Sequence, residues 1–198
     1  MKEGFMKILE LLADGNETIE LLTVVDYLRR AEIEIDMVST TGNINLETSH
    51  GIKYQADYLL EDINPDEYDG VYIPGGTKGA ESLRDNEKVI EMIKDFNKEG
   101  KLIAAICAGP IVLDKAGVLE GKKVTSFPTI KEELTNIGQY IDDEIVVTDG
   151  NITTSRGAAV TNYLALRLIE IIKGDVAKEE VKHGVQHTAV EDYFKIEF

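Results

Sequence analysis

The chain has 198 residues and one cysteine, Cys107, set in the stretch KLIAAICAGP from Lys101 to Pro110. Leu102 to Ile106 is a continuous apolar run bounded by Gly100 and by Gly109-Pro110. That is the pattern of a strand buried on both faces of a parallel sheet. Pro110 suits the first turn of a helix, where its missing N–H costs nothing. Strand, sharp turn and helix with a thiol at the turn is the layout of a nucleophile elbow, which requires small residues two before and two after the nucleophile. Ala105 and Gly109 stand at those places, and the Ala108 N–H would point out beside the sulfur. A helix N-terminus and amide donors favour thiolate, so an elbow predicts Cys107 to be far more acidic than a free cysteine, whose pKa is about 8.5. The same spacing also suits an inert cysteine filling core space.

Two further stretches carry chemical groups. Tyr68 to Ile73 reads as a short buried strand running into Pro74-Gly75-Gly76-Thr77-Lys78-Gly79. A glycine loop between a strand and a helix offers N–H groups to an anion. Neither the P-loop nor the G-x-G-x-x-G spacing is present. Paired with the Ala108 N–H, this loop makes the second half of an oxyanion hole; as a tight turn, it merely needs glycine. Glu20 lies near the start of the first helix, at the edge of its apolar face. It is either a first-turn acid favoured by the helix dipole or a carboxyl aimed inward at the sheet's carboxyl edge, where open α/β sheets place their sites. His50 sits at the turn of a short hairpin around Ile44 to Tyr54, where a histidine is ordinarily solvated.

These groups need a scaffold. Lys7 to Ala13 reads as the first strand, and Asn16 as the cap of a helix from Glu17 to Ala31 with Leu21, Val24, Val25 and Leu28 at helical spacing. Glu32 to Ser39 is the second strand, and Leu59 to Ile63 one helical turn. Asn86 caps a helix whose stripe is Val89, Met92, Ile93 and Phe96 and which Gly100 stops. After the Cys107 strand come a short helix from Ile111 to Ala116, a strand from Lys123 to Ser126 and a helix from Thr129 to Asn136. Glu144–Val147 and Ile152–Ser155 flank a Thr148-Asp149-Gly150-Asn151 hairpin signal. A helix with Val160, Leu164, Leu168 and Ile171 in register ends at Gly174. Alternating strands and helices with buried central strands mean an α/β sandwich around a mostly parallel sheet, over residues 6–174. Residues 175–198 form a C-terminal extension, with a short helix from Asp175 to Lys182. Its apolar Val176, Val181, Val185, Tyr193, Phe194 and Phe198 are expected to lie against the domain or a partner subunit.

A content of 43% apolar and 29% charged residues is that of a soluble globular protein. The net charge of −16 argues against nucleic acid and anionic membranes as partners. One cysteine excludes an internal disulfide framework. With no signal peptide and no apolar run near 18 residues, the expected compartment is the cytoplasm. Met1 to Phe5 precede a second methionine, Met6, and read as native or as a vector scar.

Glu20, YIPGG at Tyr72 to Gly76, AAICAGP at Ala104 to Pro110 and TSRG at Thr154 to Gly157 occur in the order found in the ThiJ/PfpI superfamily. The chain resembles that superfamily from about Met6 to Gly174, most nearly the branch of the Parkinson-disease-associated protein deglycase. The resemblance implies a flavodoxin-like three-layer sandwich, a homodimer and no cofactor or metal. It implies Cys107 as nucleophile, Glu20 as the acid bonded to it, and Gly76 and Ala108 as backbone donors near the sulfur, with Gly75 the neighbouring candidate. Arg156 matches a basic residue of the same pocket, and His50 falls near a position that reaches the partner subunit's pocket in some relatives. A thiolate beside a carboxylate is disfavoured by like charge, so the pair is expected to share one proton, with Glu20 protonated and donating to the sulfur.

Departures from the pattern narrow the function. Peptidase relatives carry histidine directly after the cysteine, where this chain has Ala108. Deglycase-like relatives often have histidine before the proline of the following loop, where this chain has Phe127. Neither His183 nor His187 has the later His-x-Glu that amidotransferases need. No Cys–His dyad is evident, which argues against a peptidase. Two functions of different class remain. One is a cofactor-free glyoxalase or deglycase-like enzyme acting on small aldehydes such as methylglyoxal. The other is a non-enzymatic redox or stress protein in which Cys107 is oxidised to sulfinic acid.

Overall fold

A computed structural model of the chain describes residues 6–195; Met1 to Phe5 and Phe198, considered above, lie outside them. In chain order the elements are β1 (Lys7–Leu12), α1 (Thr18–Arg30), β2 (Glu34–Ser39), β3 (Asn45–Glu47), β4 (Lys53–Gln55), β5 (Tyr58–Leu59), β6 (Gly70–Ile73), α2 (Thr77–Arg84) and α3 (Glu87–Lys98). They continue with β7 (Leu102–Ile106), α4 (Pro110–Lys115), β8 (Lys123–Val124), β9 (Gln139–Tyr140), β10 (Val146–Asp149), β11 (Ile152–Ser155), α5 (Thr161–Lys173), α6 (Asp175–Gly184) and α7 (His187–Phe194). Seven strands form the central sheet in the order β10-β11-β7-β6-β1-β2-β5. Every pairing in it is parallel except that of β10 with β11.

The expected three-layer α/β sandwich therefore forms. Side chains on one sheet face pack with α2, α3 and α4 around Ile73, Leu83, Ile93, Phe96 and Val112. Those on the other pack with α1, α5 and α6 around Leu12, Tyr72, Val24, Leu28, Leu164 and Val181. All five residues of β7 are buried, as its unbroken apolar run requires. Strand order reverses between β1, which leads outward to β2, and β6, which leads outward to β7. Ligands of open α/β sheets bind at such a switch point, beyond the carboxyl ends of the strands.

Several expectations at element ends are corrected. Asn16 does not cap α1. Glu17 does, its carboxylate accepting from the Glu20 N–H at 2.9 Å. Asn16 is buried instead, accepting from the Ala13 N–H at 2.7 Å and donating to the Gly75 carbonyl at 2.9 Å. The Thr129–Asn136 helix is a 3-10 segment, Pro128–Glu133, because the chain must turn back at once to pair β9 with β8. Within the Leu59–Ile63 turn, Leu59 belongs to β5 and only Leu60–Asp62 is wound, as 3-10. On α5 the buried stripe runs through Leu164, Ala165, Leu168 and Ile169, which leaves Ile171 44% exposed.

In the C-terminal stretch α6 packs on α5 and α7 on α6. Val181 joins the core, but Val176, Tyr193 and Phe194 are 74%, 81% and 65% exposed and do not lie against it. The reason is that α7 docks through polar groups. Glu191 meets Lys182 at 2.7 Å and His187 at 3.3 Å, and all three are buried.

One group contradicts its surroundings. Glu10, in the middle of β1, is fully buried on the α1 side, between Ile8 and Leu12 on the same face, and neither carboxyl oxygen has a hydrogen-bond partner. Burial holds its carboxyl well above the ordinary value of 4.5, with the Arg29 charge opposing and the Asp57 charge adding. A raised carboxyl in the folded state means that the folded protein binds more protons than the unfolded chain above that pH. Stability contributed by the proton is full below pH 4.5 and declines as pH rises. Glu10→Gln keeps a buried polar group but needs no proton to be uncharged, so it is expected to raise stability at neutral pH and to flatten the decline between pH 5 and 8. Urea denaturation of both proteins across that range is the check; a parallel pH dependence would show that Glu10 is not the source.

Candidate active site

Three adjacent parallel strands end in the pieces of one site: β1 leads to α1 and Glu20, β6 to Gly75-Gly76, and β7 to Cys107. Cys107 has φ 61°, in the left-handed region that side chains rarely adopt. Such a residue stores about 1–3 kcal/mol of strain and must be held from both sides. Its N–H donates to the Ser155 carbonyl and its carbonyl accepts from the Phe127 N–H, each at 3.0 Å. Strand, strained turn and helix with a partly exposed Cys107 are the geometry that an elbow requires.

The Gly76 and Ala108 N–H groups and the Glu20 carboxyl all lie within electrostatic reach of the Cys107 sulfur, and Glu20 Oε1 is buried without a hydrogen-bond partner. Glu20 is wholly buried, and its Oε2 accepts from the Gly75 N–H at 2.8 Å. The Glu20 side chain thus points inward, rather than serving only the helix dipole. Gly75 fills the gap between the two functional groups. A Cβ there would lie 2.5 Å from Glu20 Oε2, 2.6 Å from Cys107 Cβ and 2.9 Å from the Ala108 nitrogen.

The other candidates occupy different places. The Phe127 side chain is 45% exposed and its ring packs over Gly157, at the rim beside the Cys107 turn. Arg156 follows Ser155, but its guanidinium donates to the Asp142 carbonyl. His50 is exposed at the hairpin turn, its Nδ1 3.0 Å from Ser49 Oγ, while the Ser49 N–H donates to the Asn16 carbonyl at 2.9 Å. Among the described residues no cluster of His, Cys, Asp and Glu is arranged to hold a metal ion.

Electrostatics correct the simple expectation of an acidic thiol. Burial, then the charge and hydrogen bond of an ionised Glu20, push Cys107 up to about 12, against the Gly76 and Ala108 amides. Burial raises Glu20 to about 7, with Glu17 adding and the Cys107 and Gly75 hydrogen bonds opposing. Burial is the first cause of both shifts, and the two groups do not ionise together: between about 7 and about 12 the pair holds one proton. The value near 12 belongs to a thiol facing a carboxylate. With the proton on Glu20 that charge is gone, and the carboxyl O–H becomes a third donor to the sulfur.

Three groups escaped the sequence reading. Asn16 ties the β1–α1 turn to the glycine loop, Glu17 caps the helix carrying Glu20, and the Tyr72 hydroxyl donates to the Glu20 carbonyl at 2.9 Å. A tyrosine within a buried strand is the one signal that was available, since a buried phenol normally finds a partner.

The DJ-1/PfpI family profile matches residues 6–171. The Drosophila melanogaster protein dj-1beta is 37% identical over 177 residues, which are 89% of this chain and 95% of that one. Its crystal structure superposes with a TM-score of 0.89 at 35% identity, covering 92% of this chain and 98% of that one. A deglycase of Pyrococcus abyssi is 40% identical over 152 residues, 76% of this chain and 90% of that one. The chain belongs to the DJ-1/PfpI family.

The absence of slack at Gly75 is testable. Gly75→Ala is expected to lower stability by about 1–3 kcal/mol through overpacking and to slow alkylation of Cys107 by iodoacetamide. Denaturation and alkylation rates measured on the two proteins decide it. An alanine variant equal to wild type in both would mean that Glu20, Gly75 and Cys107 are not in mutual contact.

Proposed function

We propose that this member of the DJ-1/PfpI family is a cofactor-free, cysteine-dependent enzyme acting on small reactive aldehydes such as methylglyoxal, in the manner of a glyoxalase or deglycase. The observation that carries the reading is a wholly buried Glu20 carboxyl set across Gly75 from a strained, partly exposed Cys107, with the Gly76 and Ala108 amides beside the sulfur. Related proteins bearing the name deglycase support the substrate class.

The steps follow from the pair's single proton. The Cys107 thiolate adds to the aldehyde carbon, a C–S bond forms, and the carbonyl oxygen takes the proton from Glu20 to give a hemithioacetal. The Gly76 and Ala108 amides lie where negative charge develops. Glu20, now a carboxylate, takes the proton from the former aldehyde carbon and returns it to the neighbouring carbon while the hydroxyl proton passes to the neighbouring carbonyl oxygen, leaving a thioester. Water cleaves the thioester to lactate and regenerates the thiol. One water is consumed, and the oxidation of one carbon balances the reduction of its neighbour. Placing the charge on sulfur in the resting pair opposes the ordinary acidity order of thiol and carboxyl. Two features favour it: Cys107 keeps access to solvent while Glu20 has none, and two amides face the sulfur against one at the carboxyl.

Phe127 shapes the rim and moves no proton, so Glu20 serves every proton step alone and turnover is slow. A homodimer belongs to the same proposal. Ile19 and Leu22 on α1 and Ile52 beside the His50 turn are exposed apolar groups that a second copy would cover.

The assay is methylglyoxal consumption with chiral detection of lactate. Weak but measurable wild-type turnover is expected. Cys107→Ser should abolish it, Glu20→Gln should reduce it by roughly 10²–10⁴-fold, and Phe127→His should raise it. Wild-type turnover no faster than that of Cys107→Ser would end the enzyme reading for this substrate and leave Cys107 oxidation as the function.

A further inference from the structure

Tyr72 is the last but one residue of β6, two positions before the loop that supplies Gly75 and Gly76. It is wholly buried, and its ring lies in the layer between the sheet and α1. Its hydroxyl donates to the backbone carbonyl of Glu20 at 2.9 Å. That carbonyl is in the first turn of α1, so the bond joins the helix carrying Glu20 to the strand carrying the glycine loop.

Glu20 is thereby held by three different groups. Its N–H donates to the Glu17 carboxylate at 2.9 Å, its carbonyl accepts from Tyr72, and its Oε2 accepts from the Gly75 N–H at 2.8 Å. The first bond is internal to α1 and cannot fix the helix against the sheet. The third depends on the glycine loop being in place. The Tyr72 bond alone ties the Glu20 main chain to a sheet strand. Glu10 is the neighbour of Tyr72 in the β1–β6 register, but its carboxyl makes no hydrogen bond. Among the described residues the Glu20 carbonyl is therefore the one acceptor the phenol uses. Burial and the nearby acidic groups hold the phenol well above its ordinary value, so it keeps the proton it donates.

We propose that Tyr72 is a positioning residue: its hydroxyl bond to the Glu20 carbonyl fixes the Glu20 carboxyl against Cys107. The inference rests on the reading of Cys107 and Glu20 as the working pair. Tyr72 touches neither the sulfur nor a substrate, and its effect passes entirely through Glu20. The Glu20 carbonyl keeps its place in the α1 ladder when the phenol oxygen is removed, so Tyr72→Phe loosens the tie without opening the helix.

The test is ultraviolet titration of the Cys107 thiolate in wild type, Tyr72→Phe, Glu20→Leu and the double variant, with urea denaturation of each. No substrate is involved, so the readout is independent of turnover. With the proton on Glu20, as proposed, Glu20→Leu removes a proton donor beside the sulfur and is expected to raise the thiolate pKa. Tyr72→Phe is expected to raise it by about half a unit, a roughly threefold fall in thiolate fraction near the midpoint. The double variant should titrate like Glu20→Leu alone, since residues acting through one another are not additive. A Tyr72→Phe titration equal to wild type, or a Tyr72 shift that persists undiminished in the Glu20→Leu background, would overturn the role of Tyr72 and leave the pair intact. A Glu20→Leu titration unchanged from wild type, or lowered, would overturn the pair and the role of Tyr72 with it.

Discussion

Two acidic groups in contact, out of reach of water on one side, cannot both be charged. That constraint governs this site. Glu20 and Cys107 approach each other across Gly75, where a side chain would collide with both. Each is disfavoured as an anion by burial, and each anion would repel the other. Between about 7 and about 12 the pair therefore carries one proton, and what the site can do depends on which atom holds it. A thiol facing a carboxylate is a poor nucleophile. A thiolate facing a carboxylic acid is a nucleophile with its proton donor already in place.

The fold supplies the contact through backbone placed at strand ends. Three neighbouring parallel strands deliver Glu20, Gly75-Gly76 and Cys107 to one edge, at the point where strand order reverses. The strained Cys107 turn persists because β11 and the segment before Pro128 hold its N–H and carbonyl. Asn16 binds the first turn to the glycine loop, and Tyr72 binds the helix to the strand. Removing any one of these ties would leave the groups present but not in register. Proton transfer needs heavy-atom separations of about 2.6–3.2 Å, so small displacements matter.

The sheet, the elbow and the inward acid were legible because each leaves a local mark. A five-residue apolar run bounded by glycines marks β7, small residues flank Cys107, and α1 has helical spacing. What was not legible depends on contacts between distant parts of the chain. Asn16 has the residue type of a helix cap, but Gly75 lies close enough to claim its side chain, and Glu17 takes the cap. The amides beside Cys107 suggested an acidic thiol, and only the fold shows how much burial and Glu20 oppose them. Arg156 sits in a recognisable motif, yet the Asp142 carbonyl engages its guanidinium. In the extension, apolar residues indicated packing, but the helix α7 is anchored by His187 and Glu191 with its aromatic residues outward. A buried polar anchor leaves no hydropathy signal.

The location of the shared proton can be observed directly. Infrared difference spectra between wild type and Glu20→Gln isolate the Glu20 carboxyl, and they can be recorded at a pH where ultraviolet absorbance shows thiolate in the same sample. A protonated-carboxyl band from Glu20, lost in Cys107→Ser as that carboxyl ionises, is expected if the charge rests on sulfur and the proton on Glu20. Carboxylate bands from Glu20 in wild type, with no thiolate absorbance until well above neutral pH, would contradict it and leave a protonated thiol facing a carboxylate.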